Sequence, residues 1–304
     1  MTVLHGHPHA PAGPTVVAIG NFDGVHVGHR ALIDRARALA SLHRARVVAL
    51  TFDPHPSSLF RVAPPMLTSL PRRGELLLEA GADAVVIEPF TRELASLSPD
   101  AFIDDIVLGA LHARAIVVGY DFNYGAGRGG TTDTLRAHGE RAGVEIAVVP
   151  VVEVAGEVAS STRIRAHLRA GELAAAERLL GRRWDVDGLV VHGAERGRAI
   201  GVPTANIAPE HDLPIRPGIY AVTLEVIGEG IARPAVASLG TNPTFVDGGA
   251  LVLEVHVLDW TGDLYDRRVR TTFVARLRDE AKFDGIDALL VQIRADIAAA
   301  RACF

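Results

Sequence analysis

His26 and His29 stand three residues apart inside Gly20-Asn-Phe-Asp-Gly-Val-His-Val-Gly-His29. An apolar run precedes this stretch and a segment with helical spacing follows it. Unpaired backbone N–H groups, the positive end of a helix dipole and two imidazoles therefore meet at one turn. Such a turn is suited to phosphate. If the helix has begun by His26, both rings share a face and can donate to phosphoryl oxygens. Gly20, Gly24 and Gly28 stand where the chain must turn tightly or approach a ligand, Phe22 lies within the turn, and Asp23 can cap or orient it. The competing reading is a histidine pair that merely decorates a helix start.

Three further stretches carry reactive or anion-binding residue types. Ser160-Ser-Thr162-Arg-Ile-Arg165 opens a helical pattern. Ser161 and Thr162 can cap it, while Arg163 or Arg165 can take up polyphosphate charge through bidentate contacts. From His192 to Asn206 the chain offers Gly193, Arg196, Gly197, Arg198 and Gly201, then Pro203-Thr204-Ala-Asn206. Its glycines expose backbone N–H groups to phosphates, and Thr204 and Asn206 add side-chain oxygens of the hard type that Mg²⁺ prefers. Glu254 and His256 alternate with Val255, so both occupy one face of a strand. A carboxylate there is out of place in a core and is a candidate general base. The plainer readings are a capped helix, a surface connector and a solvated strand face.

Composition removes several alternatives. Lys282 is the only lysine, so the first 281 residues hold no lysine for a Walker-type or kinase-type phosphate clamp. Any ATP chemistry must use backbone N–H, histidine, arginine and metal. A net charge of −5 without a basic block argues against nucleic acid as a partner. No apolar run approaches the ~20 residues of a membrane span, and Met1 to Pro14 does not read as a secretory signal. The lone Cys303 agrees with a reducing compartment, and a cytoplasmic location is expected.

At 304 residues, two domains are expected. Residues 1–14, with His5, His7 and His9 among Pro and Gly, read as a flexible tail. Val- and Ile-rich runs at Thr15–Ile19, Val47–Phe52, Ala84–Ile87, Ala115–Val118 and Val144–Val149 are unalternated and separated by helical spacing. They predict a doubly wound, Rossmann-like parallel sheet whose ligands bind at the carboxyl ends of its strands. Thr51-Phe-Asp-Pro54-His55-Pro56 falls at one such end, and Gly119-Tyr-Asp121-Phe122-Asn-Tyr-Gly125 at another. Gly125-x-Gly-x-x-Gly130 also matches a dinucleotide fingerprint, but it follows the fourth strand rather than the first. Near Trp184 the pattern turns to β. Gly188–Val191, Ile219–Val226, Ala235–Leu239, Val252–Leu258 and Val269–Phe273 predict a small antiparallel barrel. A final helix is expected to pack on it through Ile286, Leu289, Leu290, Ile293 and Ile297.

Taken together and in this order, the first-half motifs resemble the adenylyltransferase module of the bifunctional riboflavin kinase/FAD synthetase family over residues 15–183. The second half, a domain expected over residues 184–304, resembles that family's riboflavin kinase module over nearly all of residues 184–300, through Gly-Arg-x-x-Gly-x-Pro-Thr-Ala-Asn206, Pro217-Gly-Ile-Tyr220, Gly240-Thr-Asn-Pro-Thr244, Glu254-x-His-x-Leu-Asp259 and Arg278-x-Glu280-x-Lys-Phe283. The resemblance implies ATP held by the Gly20–His29 turn and by Ser161, Thr162 and Arg165. It implies a flavin near Pro54, His55, Pro56, Asp121 and Phe122. In the second module it implies ATP and Mg²⁺ on the Gly193–Asn206 loop, Glu254 as base, and flavin covered by Arg278, Glu280 and Phe283. Asn123 and Tyr124 depart from the family's usual Arg-Phe, and Asp266 stands where glycine is usual.

The implied chemistry is phosphorylation of riboflavin to FMN, then adenylylation of FMN to FAD with release of pyrophosphate. His26, His29 and Arg165 are expected to supply positive charge to the second transition state. Riboflavin, FMN and ATP are the expected partners, without nucleic acid or membrane, and a weak homo-oligomer is allowed. Two alternatives stay open: a monofunctional FAD synthetase with a flavin-binding barrel, and a non-enzymatic flavin or nucleotide sensor.

Overall fold

The computed structural model describes residues 2–193, 201–241 and 251–304, and it divides into two compact units. The first comprises Met1–Pro64 with Leu70–Ser160, and the second Pro65–Ser69 with Ser161–Phe304.

The first unit is a six-stranded parallel sheet in the order β1-β4-β3-β2-β5-β6. Its strands are β1 (Thr2–His5), β2 (Thr15–Ile19), β3 (Arg46–Asp53), β4 (Ala84–Pro89), β5 (Ala113–Gly119) and β6 (Glu145–Val149). The crossovers carry α1 (Val27–His43), α2 (Leu70–Glu79), the short α3 (Arg92–Ser96) and α4 (Pro99–Ala101), a π-helical segment Phe102–Ala110, and α5 (Thr132–Ala142). Strand β2 is buried at all five positions because both sheet faces are covered. Val16 and Ala18 face a core shared with α1 and α2, whereas Val17 and Ile19 face the π-helical segment and Leu135 of α5. The chain leaves β2 towards β3 and returns to its other side as β5. The topological switch point therefore lies where β2 and β5 end, at the Gly20 and Gly119 loops.

The expected tail is different. Thr2–His5 adds an edge strand to β4, and His7 is held by Glu88, which accepts from its backbone N at 2.7 Å and meets its Nδ1 at 2.8 Å.

A small hairpin, β7 (Glu153–Val154) and β8 (Glu157–Val158), closes the first unit. The second contains α6 (Ser161–Ala170), α7 (Leu173–Leu180) and a closed antiparallel barrel ordered β10-β13-β12-β11-β14-β9. Its strands are β9 (Asp185–Val191), β10 (Ala205–Pro209), β11 (Gly218–Val226), β12 (Ala232–Thr241), β13 (Leu251–Val257) and β14 (Arg268–Arg278). Trp184 seals one end: it is fully buried, packs on Phe273 at 5.0 Å and donates from Nε1 to the Leu67 carbonyl at 2.8 Å. The doubly wound sheet and the barrel are thus both present as expected.

The last helix, α8 (Ile286–Arg301), packs on β11, β12 and β14. Its buried positions are Asp296 and Ala300, Ile286 is 63% exposed, and Leu289, Leu290, Ile293 and Ile297 are half-buried. The contact is anchored by a carboxylate rather than by a continuous apolar stripe. Among the described residues no helix is long and apolar enough to cross a membrane.

Candidate active sites

Beyond β2 the backbone is bent hard. Phe22 (φ 49°), Gly24 (φ 84°) and Val25 (φ 41°) all take left-handed conformations, which for a side-chain-bearing residue costs of order 1–3 kcal/mol each. Burial holds them there. Phe22 and Val25 are fully buried, Val25 N bonds the Phe22 carbonyl at 3.1 Å, and the Phe22 ring meets His29 edge-on at 5.3 Å. A Cβ on Gly20 would touch the Phe22 ring at 3.3 Å.

This turn delivers the two histidines. His26, rather than Asp23, is the N-cap of α1: its Nδ1 accepts from the His29 backbone N at 3.3 Å. The two rings then stack, 3.6 Å apart and 19° from parallel. Gly28 permits this, since a Cβ there would lie 3.0 Å from His26 Cε1. His29 Nδ1 is shielded and has no hydrogen-bond partner. Desolvation, then the charge of His26, then that of Arg73 hold the His29 pKa well below the ordinary 6.5. A lowered pKa favours the neutral imidazole at neutral pH.

Arg73 was not anticipated. Only 3% exposed on α2, it donates from Nη1 to Thr51 Oγ1 at 3.4 Å and to the Phe52 carbonyl at 3.3 Å. Thr51 Oγ1 in turn donates to the Asn21 carbonyl at 3.0 Å. Burial lowers the Arg73 pKa, and Asp23 and Asp53 act to raise it. The signal was an arginine on the helix face shared with Leu76 and Leu77, both buried.

At the end of β3 the Asp53–Pro54 peptide is cis, and His55 caps the turn beginning at Pro56. Its Nδ1 accepts from Ser57 N at 3.2 Å and lies 2.8 Å from Ser57 Oγ. Its Nε2 is 3.4 Å from Asn21 Nδ2, so the Pro-His-Pro loop and the histidine turn adjoin.

At the end of β5, Phe122 N bonds the Gly119 carbonyl at 3.1 Å and the Asn123 amide bonds the Asp121 carbonyl at 2.7 Å. Phe122 stacks on Tyr124, which is buried and bridged to Gly130. A Cβ on Gly130 would fall 2.6 Å from the Tyr124 ring. Here Gly125, Gly127 and Gly130 shape a hairpin rather than a dinucleotide turn.

The Ser161–Arg165 turn belongs to the second unit, where Thr162 is exposed and Arg165 is buried with Nε donating to the Pro65 carbonyl at 2.7 Å.

In the barrel, Leu253, Val255 and Val257 point into the core, which leaves half-buried Glu254 and His256 on the outer face. Register sets Glu254 directly opposite Asn206 of β10 on one side and Ser238 of β12 on the other. Cross-strand partners on one face approach within ~5 Å at Cβ, so a carboxylate, an amide and a hydroxyl form one row. The Asn206 amide lies over Gly193: a Cβ there would fall 2.2 Å from Asn206 Nδ2. His256 Nδ1 meets the Pro203 carbonyl at 2.8 Å and pins the loop just before half-buried Thr204. Gly201 is left-handed at φ 77°. Gly197 and Arg198 lie outside the described residues, as do Arg196 and residues 242–244.

Arg278 makes a bidentate pair with buried Asp296 at 2.8 and 2.7 Å and lies 5.8 Å from the Phe283 ring. The Asp296 hydrogen bonds raise its pKa. Glu280 rests on Gly240, where a Cβ would meet Oε1 at 2.0 Å. These contacts fasten the segment after β14 to α8 and β12. Asp266 is left-handed, φ 59°, at the position where the family resemblance expects glycine.

Residues 9–163 match the family model for FAD synthetase, and residues 180–304 that for riboflavin kinase. Among curated relatives, the bifunctional riboflavin kinase/FMN adenylyltransferase of Listeria monocytogenes is 39% identical over 95% of this chain and 92% of its own length. That of Escherichia coli K12 is 39% identical over 99% and 96%, and that of Bacillus subtilis 33% identical over 97% and 96%. A crystal structure described as a macrolide-efflux protein from Streptococcus pneumoniae shares the fold, with a TM-score of 0.88 and 30% identity over 98% of each chain.

Proposed function

Because the chain belongs to the bifunctional riboflavin kinase/FMN adenylyltransferase family, we propose that it makes FMN from riboflavin and ATP in the barrel and FAD from FMN and ATP in the parallel-sheet unit. By their motifs, residues 184–304 are assigned to the first reaction and residues 15–183 to the second, although Pro65–Ser69 and residues 161–183 belong to the second unit. Glu254 aligned with Asn206 across β13 and β10 is the observation that carries this reading.

Glu254 takes the proton of the riboflavin 5′-hydroxyl as that oxygen bonds the γ-phosphorus of ATP. The bond from γ-phosphorus to the bridging oxygen breaks, and ADP leaves. Asn206, Thr204 and the glycine loop with Gly193, Gly197, Arg198, Gly201 and Pro203 orient the phosphates, and positioning supplies most of the rate. The donor set suits Mg²⁺: an amide and a hydroxyl oxygen, with the amide seated against Gly193, suit an ion that keeps waters and phosphate oxygens in its shell. Thr204 and Asn206 would hold it, where it would neutralise charge on the β- and γ-phosphates. Arg278, Glu280 and Phe283 flank the flavin.

In the sheet unit an FMN phosphate oxygen attacks the α-phosphorus of a second ATP, and pyrophosphate leaves. The nucleophile is already anionic at neutral pH, so no base is required. Gly20, Phe22, Asp23 and Gly24 shape the phosphate turn, and His26 and His29 donate N–H to the developing charge. Pro54, His55, Pro56, Asp121 and Phe122 receive the flavin. Ser161, Thr162 and Arg165 are assigned to ATP on their motif. A cytoplasmic location and small-molecule partners belong to the same reading, in keeping with the single cysteine.

Riboflavin and Mg²⁺-ATP supplied to the protein should give FMN and then FAD on a chromatogram. Glu254→Gln should abolish the first step, by ~10²- to 10⁴-fold, and leave FAD formation from added FMN intact. A parental protein that yields neither product would sink the reading, and a Glu254→Gln protein that still makes FMN removes the base.

A further inference from the structure

We propose that Arg73 is a positioning residue for adenylyl transfer, its buried guanidinium fastening the Gly20–His29 turn to the end of β3. This rests on reading the sheet unit as the adenylyltransferase. The mechanical part is a relay: Arg73 Nη1 to Thr51 Oγ1 at 3.4 Å, then Thr51 Oγ1 to the Asn21 carbonyl at 3.0 Å. A second bond from the same Nη1 grips the Phe52 carbonyl at 3.3 Å. The relay thus ends on the residue just before the turn in which Phe22, Gly24 and Val25 are left-handed.

The charge is the second part. Burying a guanidinium is costly, and Leu76 and Leu77 show that this face of α2 is otherwise apolar. A leucine could fill the volume. What it could not do is balance Asp23, which is 1% exposed within the turn, and Asp53 at the end of β3. Nor could it oppose a proton on His29. The groups acting on that imidazole are His26 on its own helix and Arg73 on α2, and both disfavour its cation. Desolvation first, then His26, then Arg73 disfavour the His29 cation, and the ring stacks on His26.

The test compares Arg73→Met and Arg73→Lys in the full chain. FAD formation from added FMN reads the site, FMN formation from riboflavin checks the rest of the chain, and NMR titration of the His29 ring reads the field. Arg73→Met should lose FAD formation by roughly 10²-fold, as expected for a reacting group misplaced by about 1 Å. Its FMN formation should be unchanged and its His29 should titrate at higher pH. Arg73→Lys should keep the parental titration and recover at least tenfold of the lost rate. The proposal is overturned if Arg73→Met makes FAD at the parental rate, or if Arg73→Lys recovers nothing. Should Arg73→Met unfold the sheet unit, parental His29 titrating in the ordinary histidine range would overturn it as well. If the parental protein makes no FAD, the functional reading fails, while the His29 titrations still decide whether Arg73 acts on that ring.

Discussion

Gly193→Ala separates position from stability at the barrel site. The new Cβ would fall 2.2 Å from Asn206 Nδ2, 2.4 Å from its Cγ and 2.7 Å from its Oδ1. Non-bonded carbon contacts settle near 3.5 Å, so the amide must retreat by about 1 Å. The obstacle is the tip of a side chain and not backbone, so the fold can yield by turning Asn206 off its rotamer at a cost of ~0.5–1.5 kcal/mol. Catalysis has no such freedom. A reacting assembly displaced by about 1 Å loses roughly 10²-fold in rate, equivalent to about 2.7 kcal/mol of transition-state stabilisation. Initial rates of FMN formation should fall by that factor. The urea midpoint should barely move, and FAD formation from added FMN, which belongs to the other unit, should be preserved. FMN produced at the parental rate would show that the seat of Asn206 over Gly193 does not govern phosphoryl transfer.

His29→Ala should slow FAD formation from FMN by ~10²- to 10³-fold, the usual loss for one transition-state donor, and a parental rate would remove the histidine turn from the mechanism. The same variant tests linkage. The folded chain holds the His29 pKa below 6.5, so between these values the unfolded chain binds more protons and stability falls as pH falls. The contribution is complete above about 6.5 and is lost progressively below it. His29→Ala should flatten this acid limb in urea midpoints measured against pH, and an identical limb would contradict the half-buried, neutral imidazole. At the β14 entry, Asp266 sits at φ 59°, where a side chain costs up to ~1–2 kcal/mol and glycine nothing. Glycine also loosens the unfolded chain, so Asp266→Gly should stabilise by no more than about 1 kcal/mol in a urea melt, and a net loss would show that Asp266 earns its place through another contact.

The parallel strands were legible because burial on both faces leaves only one kind of residue. Thr15–Ile19 reads as a strand from its sequence and is one, residue for residue. Strand β1 was not legible, because an exposed four-residue edge carries no periodic signal and its partner, β4, lies some eighty residues away. The histidine turn could be read for the same reason β2 could: its glycines, its cap and its rings are neighbours in sequence. Its charge could not, since Arg73 reaches it from a different helix. Asp296 was hidden likewise within the apolar spacing of α8, yet both it and Arg73 betray themselves as charges on faces that helical periodicity assigns to the core.

The two sites differ as their nucleophiles do. An alcohol must lose a proton to attack phosphorus, the role proposed for half-buried Glu254, which stands in register with Asn206. A phosphate monoester arrives already charged, so a carboxylate at the histidine turn would only repel it. There the carboxylate of Asp23 is 1% exposed and lies under the influence of Arg73, while the imidazoles stand stacked at the helix start. In a chain with one lysine, phosphate must be gripped by groups that are either permanently charged or neutral at rest. A neutral His29 avoids standing repulsion with the Arg73 charge that acts on it. On the proposed reading, bound polyphosphate would raise the affinity of that ring for a proton, so positive charge would strengthen at the turn as nucleotide binds.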